Sequence, residues 1–570
     1  EIAKEIEQTG IKGWDGLFWK NQYEAFQQFF HEKNLAPYFG SIDSLTRAMG
    51  DVSFDHQGRR IQGMRMQNTG DVYAVNGWEA MPYDNHSGIV DIYRNCKGNP
   101  STFTYYTQPL YVAVSPRTQF VHLPGKVPVD FYIVNEKNLS GKYRLSVFVC
   151  TPDGKEGKHI EKEVHITGGD CFGQLLLEHC QLEIEGVSGL YQVKAQLRNA
   201  SGHLCAEGKD EVLGIYWDKK QLKGKGALYG TPDDPVATFY QKATGCELPA
   251  FHSDIEKLDW IVVTRSSLDA PQPVPVEAFC QKEGKSVLEL SLYKDDDLRT
   301  LAGVTQDNKI DRTFADGAQP DPLLPANQSF SAIWDGKLKA PQSGTYMIGV
   351  TSDQGMRLSV NGQRIVDEWR NNKELTVVRP FLLKAGDEVA VRVEYSQRNP
   401  TGSVQLVWSL PDHAAIAPQE LLDRVKEDGT SLLLLKSAES WMDAVSAYTG
   451  SAYHGYYSVG KNWVGGVHFV KEHPLFNGLP VNVAMGWPYQ ALVRNGDRRL
   501  GLHIDNEELV AGSYGSAPFN LGSAVGIISC GKGKIYYSTL DLVDNLNNPA
   551  AAADVARKLF CNFILLSKDR

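Results

Sequence analysis

The sequence predicts a multidomain protein that combines α/β and all-β architecture, and three observations predict it. Its 570 residues exceed what one hydrophobic core organises, so several domains are expected. The hydrophobic period changes along the chain, from mixed helix and strand over 1–112, to a period of two over 113–218, to alternating strands and helices from 224 onward. That last pattern stops near 295 and resumes near 414, which splits one domain into 224–294 and 414–570 around an insert at 295–413. The expected fold is therefore the end of a (β/α)8 barrel, an immunoglobulin-like β-sandwich, and a doubly wound α/β domain carrying an inserted β-sandwich.

In the first segment, Lys20–Lys33 places Tyr23, Phe26, Phe29 and Phe30 on one face, as an outer barrel helix requires. Two further helices are expected at Ser41–Met49 and Asp55–Asn68. An apolar run from Val72 to Val75 then ends abruptly in Asn76, Gly77, Trp78 and Glu79, followed by the polar loop Tyr83, Asp84, Asn85, His86 and Ser87. A buried parallel strand delivers polar groups to a site in this way, because barrel strands are covered on both faces and chemistry collects where they end. A Trp at such an end can stack on a sugar ring, with Asp, Asn and His beside it holding hydroxyls; a Trp closing the barrel mouth above a self-satisfied loop is the competing reading.

The stretch WEAMPYDNHSGIVDIYRN resembles the last barrel strand and exit loop of glycoside hydrolase family two, the β-galactosidase, β-mannosidase and β-glucuronidase family. The resemblance covers 1–114 and implies a retaining β-glycosidase, β-galactosidase-like, acting on plant or host glycans. A retaining glycosidase needs two carboxylates about 5–5.5 Å apart. The resemblance places them on barrel strands four and seven, upstream of residue 1, so this chain is expected to supply the last strand and accessory domains and to be inactive alone. Trp78, Glu79, Asp84, Asn85 and His86 are the expected substrate-binding residues. Glu79, a strand-end carboxylate, is also the catalytic candidate, and a salt bridge at the barrel rim is its structural alternative.

VDFYIVNE, KYRLSVFVCTP, EKEVHITG, GQLLLEHCQLEI and GLYQVKAQLRN alternate apolar and polar residues between Gly, Asn or Asp turns, which gives the sandwich. Beyond it, strands are expected at Gly226–Tyr229, Trp260–Thr264 and Ser286–Leu290, and helices at Asp234–Thr244 and Val274–Glu283. After the insert come the helix QELLDRVKEDG, the strand SLLLLK, a helix near Trp441–Tyr448, and a closing strand and helix. This domain resembles the class-I glutamine-amidotransferase-like domains appended to some glycosidases. An active member needs a Cys on a strand-to-helix elbow. Cys280 falls inside an expected helix and Cys530 before a hairpin, so assembly or scaffolding is the expected task.

The insert reads as alternating strands (TYMIGVTS, MRLSVNG, EVAVRVEY, SVQLVWSL) with tight turns at Asp353-Gln354-Gly355 and Asn361-Gly362, and with Trp334, Trp369 and Trp408 for a core. FSAIWDGKLKAPQSGTYMIGVTSDQGMRLSVNGQRIVDEW resembles the anthrax protective-antigen domain family, β-sandwiches that often bind carbohydrate. Members that bind sugar through calcium use paired aspartates in one loop. The corresponding pair here is Asp353 followed by Gln354, so Asp353 is a calcium candidate, with the ordering of a turn as its alternative.

The net charge of −10 and the lack of basic clusters interleaved with aromatics argue against nucleic acid. No apolar run is long enough to cross a bilayer. Nine cysteines, an odd number without CxxC spacing, argue against structural zinc and a disulfide framework, and leave a Cys171–Cys180 bridge open. No Walker loop, HExxH or dinucleotide fingerprint is present, and no cofactor is expected. The aromatic region from Ser440 to Tyr489 reads as core, interface or sugar-facing wall. The expected partners are an oligosaccharide or polysaccharide, and either a second copy of the chain or an N-terminal barrel fragment. The glycosidase resemblance implies a bacterial periplasmic or secreted location. A non-catalytic carbohydrate-binding and assembly module is the second functional expectation.

Overall fold

The computed structural model describes the chain except for residues 1, 11–13, 69–88, 92, 232, 253, 269–270, 283–284, 287, 412–417, 459–467, 494–499, 515–520 and 569–570. The described residues divide into two units, one made of Glu1–Arg265, Glu420–Glu439 and Ser446–Arg570, the other of Ser266–Gln419 and Ser440–Val445.

In the first unit, the described helices of 1–109 are Ile2–Thr9, Trp14–Glu32, Ala36–Phe39, Ile42–Met66 and Ser101–Tyr106, and Val90 and Cys96 form an isolated antiparallel bridge. The expected Val72–Val75 strand lies outside the described residues. The two helices expected at Ser41–Met49 and Asp55–Asn68 form one continuous helix, Ile42–Met66, started by the Ser41 side chain accepting from the Ser44 N–H at 3.1 Å. Gly50, inside this helix, allows a close approach: a Cβ at that position would collide with the Lys97 carbonyl. The helix is fastened by Arg65, whose guanidinium donates to the carbonyls of Tyr106 (2.6 Å) and Gln108 (2.8 Å). Lys33, just past the Trp14–Glu32 helix, donates to Glu507 (2.7 Å) and to the Ile504 carbonyl (2.6 Å).

The period-two region forms two sheets. One orders Leu110–Pro116, Gly125–Asn135 and Gly173–Ile184; the other orders Phe120–His122, Leu204–Ile215, Gly189–Arg198, Gly141–Cys150 and Ile160–Ile166. Every second residue of Gly189–Arg198 is buried, from Tyr191 to Leu197, as a strand with one face on a shared core requires. Cys171 and Cys180 are both free thiols.

The remaining sheet of this unit joins Gly226–Tyr229, Trp260–Val263, Ser431–Leu434 and Gly533–Ser538 in parallel. Their cores read ALY, WIVV and LLLL without alternation, because helices cover such strands. The sheet is mixed rather than parallel throughout: Leu521–Cys530 pairs antiparallel with Gly533–Ser538, and Glu508–Tyr514 pairs antiparallel with Leu521–Cys530. Gly531 and Lys532 alone connect the first pair, and a parallel crossover needs a dozen residues or more. Of the aromatic region, Trp441 and Tyr489 are buried and Trp487 packs on the core, whereas Trp463 lies outside the described residues.

The second unit is a β-sandwich. One sheet orders Leu301–Asp307, Leu288–Tyr293, Phe330–Lys339, Glu388–Gln397, Gly355–Val360 and Gln363–Glu368. The other orders Gln272–Pro273, Gly402–Ser409, Gly344–Ser352 and Leu375–Leu383, with Asp311–Phe314 also on Gly402–Ser409. Trp334, Trp408, Tyr346 and Tyr395 fill the core between them. Asn361 and Gly362 both take positive φ (48° and 80°), the backbone a two-residue hairpin demands.

Two expectations are corrected in this unit. The strand expected at Ser286–Leu290 of the α/β domain is Leu288–Tyr293, and it pairs with Phe330–Lys339 inside the sandwich. Its residues alternate buried and accessible, the pattern of a half-buried sandwich strand, so the unit starts at Ser266 rather than 295. The helix expected at Val274–Glu283 is absent from the described residues there: Val276–Ala278 forms one 3-10 turn, and flanking N–H groups bond to sandwich carbonyls, Val274 to Leu406 and Cys280 to Lys337. Pro273 and Pro275 start the segment extended and cannot donate to a helix ladder.

Candidate functional site

The expected sugar-site residues Trp78, Glu79, Asp84, Asn85 and His86 all lie outside the described residues. The chain is described again from Ile89, and there Asp91 has a clear role. Its buried carboxylate accepts from the N–H groups of Tyr93 (2.8 Å) and Asn95 (2.9 Å), turning the segment back so that Val90 bridges Cys96.

The site that is on view belongs to the second unit. A cleft of about 800 Å³ opens between three segments, 311–320, 327–329 and 397–400. The Asp311–Phe314 strand brings in the first and leaves Phe314 as an apolar floor, stacked on Tyr395 at 5.5 Å. The third follows the Glu388–Gln397 strand. Residues Gln319, Asn327, Gln328, Ser329 and Asn399 supply amides and a hydroxyl along the walls.

Of the four charged groups lining the cleft, three are already committed, and the fourth, Asp316, is exposed and makes no hydrogen bond or ion pair to a described residue. Arg398 pairs with Asp296 (2.9 Å) and donates to the Trp369 carbonyl (2.7 Å), and Arg312 pairs with Asp307 (2.8 Å). Asp311 accepts from Lys309 (3.1 Å) and Gln405 (3.0 Å), and the Lys309 hydrogen bond leads in holding its carboxyl below the usual carboxylate range. By contrast, the side chains of Asn327, Asn399, Thr313 and Ser329 make no hydrogen bond to any described residue. Neutral donors and acceptors on an open wall, with the Asp316 carboxylate as one further acceptor, suit a hydroxyl-rich ligand without negative charge.

The third segment is braced from below. Ser352 Oγ donates to the Ser403 carbonyl (2.6 Å), Asp353 Oδ1 accepts from the Ser403 N–H (2.7 Å), and Gln354 Nε2 donates to the Thr401 carbonyl (3.0 Å) while its Oε1 accepts from the Arg398 N–H (3.3 Å). Gln354 is 3% exposed. Gly402 lies against this brace, and a Cβ there would collide with the Tyr395 hydroxyl and press on Gln354. Trp369, expected as core, is buried with the Arg357 guanidinium 4.3 Å from its ring centre and its indole N–H on Asp297 (3.2 Å).

Sequence reasoning singled out Asp353, which the structure places beside the cleft as a backbone acceptor. Asn327 falls in Asn327-Gln328-Ser329, a triplet that fits the glycosylation sequon, and Asn399 belongs to no site motif. The only local signal for the third segment is the turn-forming Asn399-Pro400 after a strand.

The same residues carry the relationship to known proteins. Residues 284–421 match the PA14 domain. The anti-sigma-I factor RsgI3 of Acetivibrio thermocellus is 29% identical over 117 residues, 20% of this chain and 18% of that protein. The chain thus spans less than a fifth of that curated relative. Among solved structures, an anti-sigma factor domain-containing protein from Clostridium clariflavum is 16% identical, covering 53% of this chain and 94% of its own, with a TM-score of 0.21. The β-glucosidase from Kluyveromyces marxianus in complex with glucose is 16% identical over 39% of this chain and 29% of its own, with a TM-score of 0.21.

Proposed function

We propose that this is a carbohydrate-binding, glycosidase-associated protein whose second unit holds a neutral saccharide in the cleft. The observation that carries the reading is that the residues matching the PA14 domain are those that build a cleft bearing the uncommitted amides of Asn327 and Asn399. Calorimetry against neutral oligosaccharides selected on a glycan array tests it. Asn327→Ala and Asn399→Ala are each expected to weaken binding about tenfold, one hydrogen bond to ligand lost, with unfolding unchanged. A chain that captures no glycan, or variants that bind as the parent does, would remove the cleft from the reading.

A second reading is favoured by the stretch Trp78–Asn95. Here the chain is the C-terminal part of a family-two, β-galactosidase-like retaining enzyme, with Trp78 stacking on the sugar and Glu79, Asp84, Asn85 and His86 holding its hydroxyls. The period-two sandwich then acts as an immunoglobulin-like spacer, the mixed α/β domain as an amidotransferase-like scaffold for assembly, and the location is periplasmic or secreted. In the active enzyme, Trp78→Ala is expected to raise KM for an aryl β-galactoside about tenfold or more, whereas Glu79→Gln retains turnover. Loss of turnover in Glu79→Gln would instead make Glu79 a catalytic carboxylate.

A further inference from the structure

The resemblance of the insert to sugar-binding domains with paired aspartates implies a calcium ion at the loop occupied by Asp353 and Gln354. The residues present do not fit one. Calcium takes six to eight oxygen ligands with free lone pairs converging at about 2.3–2.6 Å. In this loop four oxygens have protein partners, which leaves Asp353 Oδ2 far short of a calcium shell: Asp353 Oδ1 serves the Ser403 N–H, Gln354 Oε1 the Arg398 N–H, and the Ser352 and Gln354 carbonyls both accept from Asn371 Nδ2 at 3.2 Å. Where a second carboxylate would add an acceptor, Gln354 presents an N–H donor aimed at Thr401. The nearest charged neighbour on the segment, Arg398, is cationic and paired with Asp296. Among the described residues no group of three or more His, Cys, Asp or Glu side chains is placed to hold a metal ion.

We infer that the cleft works without a divalent cation, and that the buried Gln354 carboxamide braces the 397–401 wall from within the protein. The inference rests on the carbohydrate-binding reading for its ligand, but not for its chemistry. One amide spans Arg398 N and Thr401 O, and Ser352 and Asp353 fix Ser403, two residues further on, so the exposed Asn399 and Pro400 are carried on a closed frame. Gln354 is thus a positioning residue: it touches the wall and not the ligand.

The test uses the whole chain. Calcium chloride titrated into it is expected to give no binding heat, its melting temperature is expected to be the same in EDTA and in calcium, and its dissociation constant for a glycan is expected to be the same in both buffers. Gln354→Glu keeps the shape but sets a carboxylate against the Thr401 carbonyl. It is expected to weaken glycan binding about tenfold with the circular dichroism spectrum retained. Gln354→Met, which removes both hydrogen bonds without adding charge, is expected to weaken it similarly. A wild type that melts higher with calcium, or loses its glycan in EDTA, overturns the inference. Variants that bind as the wild type does overturn the bracing role. If no glycan binds in either buffer the carbohydrate reading fails, and the calcium titration and melting measurements still decide the cation question.

Discussion

Replacing Arg59 with methionine is expected to destabilise the first unit by about 3 kcal/mol, read as a lower urea midpoint at an unchanged slope. Arg59 leaves the Ile42–Met66 helix to meet Asp210 on the Leu204–Ile215 strand at 2.7 Å and Asp55 one helical turn back at 2.9 Å, and its guanidinium lies 5.8 Å from the Trp487 ring centre. The Asp210 side chain is 4% exposed. Methionine keeps most of the packing and removes the charge, which leaves a buried carboxylate without its counter-ion, and that term dominates the loss. Burial leads in pushing the Asp210 carboxyl up, to about 6 from an unfolded value of 3.8, against the opposing pull of Arg59 and the Glu211 N–H. The folded chain therefore holds this proton more tightly than the unfolded one. The stability it contributes is complete below about 4 and is lost as pH rises through about 6. In Arg59→Met the penalty is accordingly expected to be largest at neutral pH and to shrink on acidification through 6 and below. A penalty independent of pH would show that Asp210 does not carry it.

Trp334→Ala is expected to cost the second unit about 4 kcal/mol and to lower its melting temperature by about 10 °C. Trp334 is 1% exposed on the Phe330–Lys339 strand, between Leu288–Tyr293 and Glu388–Gln397 in its sheet, and it packs near Tyr395 with ring centres 6.5 Å apart. Its indole N–H donates to Asp307 (3.1 Å), the carboxylate that also pairs with Arg312 of the cleft. Truncation thus opens a large cavity and loosens one cleft wall. Trp334→Phe, which retains an aromatic ring and gives up the hydrogen bond, is expected to lose less than half as much. Equal losses in the two variants would place the energy in the Asp307 hydrogen bond rather than in the cavity.

Much of the fold was legible because strands and helices write their periods into the chain. ALY, WIVV and LLLL read as strands covered on both faces and are so placed; the TYMIGVTS, MRLSVNG, EVAVRVEY and SVQLVWSL strands fall where alternation puts them. Ser41–Met49 and Asp55–Asn68 were expected as separate helices, whereas Ile42–Met66 runs through Gly50, whose lack of a side chain admits the Lys97 carbonyl, a contact that no local pattern reveals. LELSLY shows its alternation plainly, yet its neighbours in sequence drew it into the wrong domain. The candidate site was less legible still. Its three segments are separated by up to some seventy residues of sequence, and each by itself is an ordinary polar loop.

By itself the sequence determined the mixed class of the protein, the period of its strands, the hairpin turn at Asn361-Gly362 and the resemblance of its insert to a sugar-binding sandwich. These are local properties: they depend on side-chain alternation and on the φ that each residue tolerates, and both are present before the chain folds. Only the tertiary structure decided which sheet Leu288–Tyr293 joins, since its N–H and carbonyl groups would satisfy any neighbouring strand of matching register, and the partners Phe330–Lys339 and Leu301–Asp307 are what complete it. It also decided that Gln354 faces Thr401 and Arg398, and that Asn327 and Asn399 share one cleft. Those juxtapositions come from packing between residues far apart in the chain, and no pattern along the chain encodes them.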